Sequence, residues 1–421
     1  MEQSFSLEKL TEKRITVLGG GRSGLAAARC LVRRGARVFL SDDQALPVQT
    51  KHALNTLNVV FEEGAHTQAA LQADLLVVSP GIPRESAVLN DARQRHLPVW
   101  GELELGYRLC PSKRILALTG TNGKSTTTRL VGALLEARGH DVVVGGNVGT
   151  PLCALLEQIS PRTWVVLEVS SFQLETTVRF RPHVGVWLNL TPDHLDRHGT
   201  LQEYAAIKAR LFARQQATDH AVLGPDLRLP PACPAHRHVI RPLPMALPAH
   251  QRFNLSAALC AARLADPACG LEDVDWEAIF HHPHCLEFVA AANGVRFFND
   301  SKATNPHAAI TALEALKPSP LCVILCGHPK GTSPEPLARY IAGHSHVRQA
   351  ILVGPFAAHW AAALNGQGWH NFQTVKTLQD SFGCLASEVQ TCVLAPAGSS
   401  FDQFANYQAR GDAFKAAVRD L

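Results

Sequence analysis

Apolar residues in this chain gather in short unbroken runs, and amphipathic stretches separate the runs. From Arg14 the sequence reads RITVL and then turns into glycines. Ser23 to Arg34 reads as a helix, and the runs RVFLS from Arg37 and DLLVVS from Asp74 follow. Strands that are apolar throughout, rather than alternating, predict a parallel sheet covered on both faces. A second block opens at Lys113. RILALT from Arg114 predicts a buried strand, Ser125 to Arg138 a helix, and TWVVLEVSS from Thr163 and GVWLNLT from Gly185 further strands. Residues 201–214 read as a helix. The stretch 224–248 is rich in proline and reads as loop or sheet edge, with a helix over 252–265 after it. The third block begins near His284. VRFFND from Val295, LCVILCG from Leu321, QAILVG from Gln349 and TCVLAP from Thr391 predict strands, and the last helix runs roughly over 402–421. The expectation is an α/β protein of three domains, 1–112, 113–282 and 283–421, the first of them Rossmann-like. No short-period repeat is visible.

A length of 421 residues agrees with two or three domains. The net charge is only +4 and no lysine-arginine block stands out, so nothing points to nucleic acid or a membrane surface as partner. Twenty histidines read as scattered surface groups. Eleven cysteines without a CxxC pair or a secretory signal fit a reducing compartment. Cys322 and Cys326 lie on an apolar run and read as core thiols. The N-terminus MEQSFSLEKLTEKR lacks an apolar targeting core, and no run approaches the roughly 18–20 apolar residues of a spanning helix. A cytoplasmic protein without membrane insertion is expected.

The strongest chemical signal is Gly120-Thr121-Asn122-Gly123-Lys124-Ser125-Thr126, set between an apolar strand and a helix. Glycines let the backbone turn tightly, so its N–H groups can face a polyphosphate at a helix N-terminus. Lys124 can reach the terminal phosphates, and Ser125 or Thr126 can hold magnesium. The strict GxxxxGK[ST] pattern is not met, because Leu118 stands at its first glycine position. The loop nevertheless makes the central domain a P-loop-type ATPase domain, between Rossmann-like N- and C-terminal domains. A weaker glycine cluster, Gly19-Gly20-Gly21-Arg22-Ser23-Gly24, also follows a strand and would suit NAD or a diphosphate-containing substrate alike.

Further motifs stand in order along the chain: GGNVG at 145–149, LEVSSFQLE at 167–175, NLTPDHLDRHG at 189–199, DSKATN at 300–305 and SSFDQFANYQARG at 399–411. With TGTNGKST they resemble the Mur ligase family, and within it the branch that adds D-glutamate. The resemblance implies that ATP phosphorylates the carboxylate of UDP-N-acetylmuramoyl-L-alanine and that the D-glutamate amine attacks the acyl phosphate. It implies a first domain for the uridine nucleotide, a second for ATP and a third for the amino acid, in a monomeric enzyme of peptidoglycan precursor synthesis. It also implies magnesium, at two sites.

Glu168 ends a buried strand, where ligands of parallel sheets gather. A strand-end acid paired with a lysine is the lesser alternative; the resemblance makes Glu168 a magnesium ligand. His194 reads alone as a loop histidine, and the resemblance makes it a second ligand, although imidazole is unusual for so hard a cation. Lys208 falls on the apolar face of its helix with Leu201, Tyr204, Leu211 and Phe212. A lysine there is costly unless paired, neutral or snorkelling to water. The resemblance makes it N6-carboxylated, an acid-like ligand to magnesium, and burial favours the neutral amine which that reaction needs. By the same resemblance Arg22 and Ser23 meet the nucleotide substrate, Asp42 and Asp43 lie near its uridine, and Asn147 meets the muramoyl group. Asn254, placed just before a helix where it could also be an N-cap, contacts adenine. Asp300 and Lys302 serve ATP, Thr304 the glutamate, and Lys330, Ser400 and Tyr407 the glutamate side-chain carboxylate.

Three positions depart from the family pattern. Cys285 stands where an arginine reaches ATP phosphate, His328 where the loop before Lys330 carries an aspartate, and His250-Gln251 where a histidine-asparagine pair precedes the adenine asparagine. The stretch between Lys208 and His250 is also short. An active ligase with weaker ATP binding is expected, Arg252 being a candidate replacement cation. A ligase for another amino acid such as L-glutamate, and a catalytically impaired regulatory relative, remain alternatives.

Overall fold

The computed structural model describes residues 10–421, so the first nine residues of the polar N-terminus lie outside it. The chain forms two compact units. The first runs through Leu190, Gln202–Pro244 and Arg252–Val274; the second comprises Thr191–Leu201, Met245–Gln251 and Asp275–Leu421.

The first unit holds two parallel sheets. β1 (Arg14–Leu18), β2 (Arg37–Ser41), β3 (Val60–Glu62), β4 (Leu75–Val78) and β5 (Val99–Gly101) lie in the order β3-β2-β1-β4-β5. β6 (Ile115–Thr119), β7 (Val142–Gly146), β8 (Trp164–Glu168), β9 (Val184–Trp187), β10 (His220–Leu223) and β11 (His236–Val239) lie in the order β11-β10-β9-β6-β8-β7. β6, β8 and β9 are buried along their whole length, as unbroken apolar runs require. Ile15, Val17, Leu103, Leu152, Val165 and Leu167 belong to one continuous apolar core that joins the two sheets.

The second unit carries β12 (Glu287–Ala292), β13 (Val295–Asn299), β14 (Leu321–Cys326), β15 (Val347–Val353), β16 (Phe372–Val375) and β17 (Thr391–Ala397), in the order β12-β13-β17-β14-β15-β16. Only β12 runs antiparallel to its neighbour. Leu313, Val323, Leu352 and Trp360 belong to one of its apolar clusters and Ile324, Ile351, Leu394 and Phe414 to another. Cys322 and Cys326 are core thiols, as predicted.

Three helices differ from the sequence reading by more than one residue. The helix expected over 201–214 spans Leu201–Ala209 and tightens over Arg210–Phe212, with Leu201 at its start exposed. The helix expected over 252–265 spans Ala249–Ala265, so Asn254 lies inside it and is no N-cap. The last helix spans Tyr407–Arg419. Asn406, not a residue near 402, accepts the cap bond from the Ala409 N–H and fixes its start. Among the described residues no helix is long and apolar enough to cross a membrane.

Candidate active site

The phosphate loop leaves β6 at Thr119 and enters the helix Lys124–Ala137. Gly123 caps that helix with φ +83°, a left-handed conformation that glycine adopts without strain. A Cβ there would also lie 2.4 Å from Asn254 Oδ1, so the Asn254 side chain packs directly on the loop. Asn189, just beyond β9, pins the loop from the other side. Its Oδ1 accepts from the N–H groups of Thr121 (3.1 Å) and Asn122 (2.9 Å), and its Nδ2 donates to the Asn122 carbonyl at 3.0 Å. Ser125 and Thr126 fall in the first turn of the helix, both partly exposed.

Two lysines converge here. Lys124 Nζ donates to the Gly120 carbonyl at 2.9 Å and to the Thr121 carbonyl at 2.8 Å. Lys208, on the helix Leu201–Ala209, is 1% exposed and donates to the same Gly120 oxygen at 2.8 Å. The Tyr204 ring lies 4.4 Å from its ammonium. Lys208 therefore does not snorkel. Its apolar helical face carries it inward, as the spacing predicted, and a backbone carbonyl receives it. Two ammonium groups on one carbonyl oxygen form a site for negative charge.

Glu168 supplies the acid. The β6–β8 register sets it beside Leu118, two residues before Gly120. Its Oε1 accepts from Asn147 Nδ2 at 3.0 Å, while its Oε2 is buried with no hydrogen-bond partner. A buried carboxylate oxygen left without a donor is costly in itself, and it suits a hard cation that takes oxygen ligands. The GGNVG turn is folded onto the same residue. The Asn147 N–H donates to the Glu168 carbonyl at 2.9 Å, and Arg22 Nη2 donates to the Asn147 carbonyl at 2.9 Å. A continuous path thus runs from Arg22, at the start of the helix Arg22–Arg33, through Asn147 to Glu168. Asp42 is engaged by backbone: Gly20 and Gln44 donate to it at 2.6 Å and 2.9 Å.

The second unit holds the other predicted residues. His194 opens a short helix, Leu195–His198, in a left-handed conformation with φ +53°. Its N–H donates to Asp193 Oδ1 at 2.9 Å. Asp193 is buried and also binds Lys330 Nζ at 2.5 Å and Asn305 Nδ2 at 3.2 Å. One carboxylate therefore ties the DSKATN segment, the Lys330 loop and the backbone of His194 together. Lys330 is itself buried, with φ +53°, and its N–H donates to His328 Nδ1 at 3.1 Å. His328 thus acts locally, through its ring on the Lys330 backbone and through reciprocal backbone bonds with Ser399. Asp300 is buried, and burial raises its pKa to about 7 against the pull of the Leu286 N–H and Lys302. Lys302 and Thr304 lie on the turn after it. Ser400 is buried in the SSFDQF turn, and Tyr407 sets its ring edge-on to His284.

Sequence reasoning missed three residues of these sites. Asn189 gave a signal, as a polar group at the end of an apolar strand. Asp193 was visible only as a motif letter. Arg410 is fully buried and joins the DSKATN and SSFDQFANYQARG segments, donating to Ser301 Oγ (3.0 Å), the Ser301 carbonyl (2.9 Å) and the Gly398 carbonyl (3.1 Å). Arg252 was suspected as a spare cation, and its Nε is buried without a partner.

Family models match three stretches: the Mur ligase MurD-like N-terminal domain at residues 13–101, the Mur ligase middle domain at 118–229, and the Mur ligase glutamate ligase domain at 285–398. A UDP-N-acetylmuramoylalanine–D-glutamate ligase of Pelotomaculum thermopropionicum is 38% identical, over 99% of this chain and 99% of its own. The chain belongs to the Mur ligase family. A second ligase of the same description, from Acidobacterium capsulatum, is 40% identical over 97% of both chains. Among solved structures, the UDP-N-acetylmuramate–alanine ligase of Thermotoga maritima shares the fold, with a TM-score of 0.61 over 97% of this chain and 99% of its own at 17% identity.

Proposed function

We propose that this Mur ligase joins D-glutamate to UDP-N-acetylmuramoyl-L-alanine at the expense of ATP, through an acyl phosphate. The observation that carries the chemistry is the meeting of Lys124 and Lys208 on Gly120, with the uncommitted buried oxygen of Glu168 on the adjoining strand. The 38–40% identity to D-glutamate ligases along the whole chain supports the choice of substrates.

In this reading residues 1–112 take the uridine nucleotide, with Arg22 and Ser23 at its phosphates and Asn147 at the muramoyl group. Residues 113–282 take ATP, whose phosphates lie along Gly120–Thr126 and whose adenine meets Asn254. Residues 283–421 bring Asp300 and Lys302 to ATP, Thr304 to the amino acid, and Lys330, Ser400 and Tyr407 to its side-chain carboxylate. Lys124 spreads the charge of the transferring phosphoryl group. The substrate carboxylate attacks the γ-phosphorus, ADP leaves, and the glutamate amine then adds to the acyl carbon. The tetrahedral adduct expels phosphate, and the amine proton passes to solvent. A carboxylate alone is a poor electrophile, and phosphorylation supplies the leaving group.

Magnesium, when bound, would neutralise the phosphate oxygens, and Ser125, Glu168, His194 and Lys208 are the residues to hold it. Lys208 fits that set as a carbamate: its neutral amine adds to carbon dioxide and loses a proton. The change removes one of two crowded cations and adds an anion. The protein works in this reading as a cytoplasmic monomer.

The decisive experiment is an amino-acid panel with purified protein, ATP, magnesium and UDP-N-acetylmuramoyl-L-alanine. Phosphate release and amide formation are expected with D-glutamate, and release should need both substrates. Turnover with L-glutamate but not D-glutamate, or phosphate release indifferent to the amino acid, would reject the proposal.

A further inference from the structure

The histidines are not all scattered. His183 immediately precedes β9, His220 opens β10, and His236 and His238 lie on the edge strand β11. The parallel register pairs His220 with His236, and alternation places His236 and His238 on one face of β11. The rings cluster accordingly. Centroids lie 5.5 Å apart for His183 and His220, 5.6 Å for His220 and His236, and 5.3 Å for His220 and His238. The cluster sits at the N-terminal ends of these strands, the opposite end of the sheet from the phosphate loop.

His220 Nδ1 and His238 Nε2 share a hydrogen bond of 3.2 Å, whose proton an ion would displace. Two imidazole nitrogens sharing one tetrahedral ion, each about 2.0–2.1 Å from it, would stand about 3.3–3.4 Å apart. We propose that this cluster is a second, transition-metal site, specific for a borderline dication of the zinc or nickel class. His220 and His238 form the resident pair. The described side chains do not close a set of three ligands, and His236, exposed and stacked on His220, completes the set by rotating its ring. His183 stands behind His220 and is steadied at Nδ1 by Asp219 at 3.4 Å, which Arg181 holds in turn. Oxygen-seeking magnesium has no donor of its kind in the resident pair. An ion here ties β11 to β10 and steadies the sheet edge, apart from the ligase chemistry.

Calorimetric titration of zinc into the full chain, with magnesium saturating, tests this. One zinc per chain is expected. His220→Gln and His238→Gln should each weaken binding by at least about tenfold, and His236→Gln by less. Exposed His52→Gln should change nothing, and ligase activity should persist in all four. Cobalt(II) gives an independent reading on the unmodified chain: ligand-field bands without thiolate charge-transfer bands are expected. Zinc binding unaltered by both substitutions, or a thiolate spectrum, would overturn the proposal, because it would place the ion on the cysteines or in the ligase site.

Discussion

At the scale of single residues, the site is a problem of charge. Lys124 and Lys208 share one carbonyl oxygen, and Glu168 on the adjoining strand has a buried carboxylate oxygen without a donor. The carbamate reading of Lys208 makes a sharp prediction. Lys208→Ala should lower phosphate release by at least about 10²-fold, and short carboxylic acids in the assay should restore part of it, because they can supply the missing oxygens. Near-normal turnover of the unsupplemented variant would refute the role. Arg252 offers a second test. Its Nε is buried without a partner, and by the resemblance Cys285 stands where an arginine is expected. Arg252→Ala should raise KM for ATP about tenfold while kcat falls less, and Cys285→Arg should reverse most of the rise. An unchanged KM for ATP in initial-rate measurements would remove Arg252 from the site. The burial of Lys208 was legible in the sequence, from its helical face. The carbonyl that receives it was not, because Gly120 lies 88 residues away.

At the scale of elements, the sequence pattern found most interior strands and missed the edges, together with the interior β10. β1, β6, β8, β14 and β17 were read from unbroken apolar runs, because both faces of a central parallel strand are covered. β3, β5, β7, β11, β12 and β16 were not identified as strands, and each is an edge strand. Half-exposed edges carry mixed residues, and their pairing is set by neighbours far along the chain. The helix Glu102–Leu109 hides a different feature. Glu102 is 2% exposed, its Oε1 accepts from the Cys153 N–H at 2.7 Å, and its Oε2 is buried without a partner. Burial raises its pKa from 4.5 to about 7, against the Cys153 bond and Arg22. The folded state thus prefers the protonated form. Its stabilising effect is complete below pH 4.5 and is lost as pH rises through about 7. Glu102→Gln should therefore match the parent in urea at pH 4 and exceed it at pH 8 by roughly 3 kcal/mol. Equal midpoints at pH 8 would show that Glu102 ionises there without cost.

At the scale of the whole molecule, the order of motifs along the chain was enough to predict the family and its chemistry, and local pattern was enough for three α/β sheets. Neither revealed how the segments divide. The PDHLDRHG segment belongs to the second compact unit although the chain on both sides of it belongs to the first. Such an excursion is held by contacts over long sequence separations: Asp193 meets Lys330 across 137 residues and Asn305 across 112. No periodicity can encode that. The consequence is testable because Lys330 and Asp193 are both buried, and removing one partner of a buried ion pair leaves the other charge uncompensated, at about 3–5 kcal/mol. Asp193→Ala should hasten amide exchange in β14, β15 and β17 of the second unit, while β6, β8 and β9 of the first stay protected. KM for the amino acid should rise as well, because Lys330 loses the carboxylate that positions it. Asp193→Asn keeps an oxygen for the His194 N–H and an acceptor for Lys330, so it should recover part of the protection and less of the affinity. Uniform exchange across both units in Asp193→Ala would mean instead that the two unfold together and that the pair has no local role.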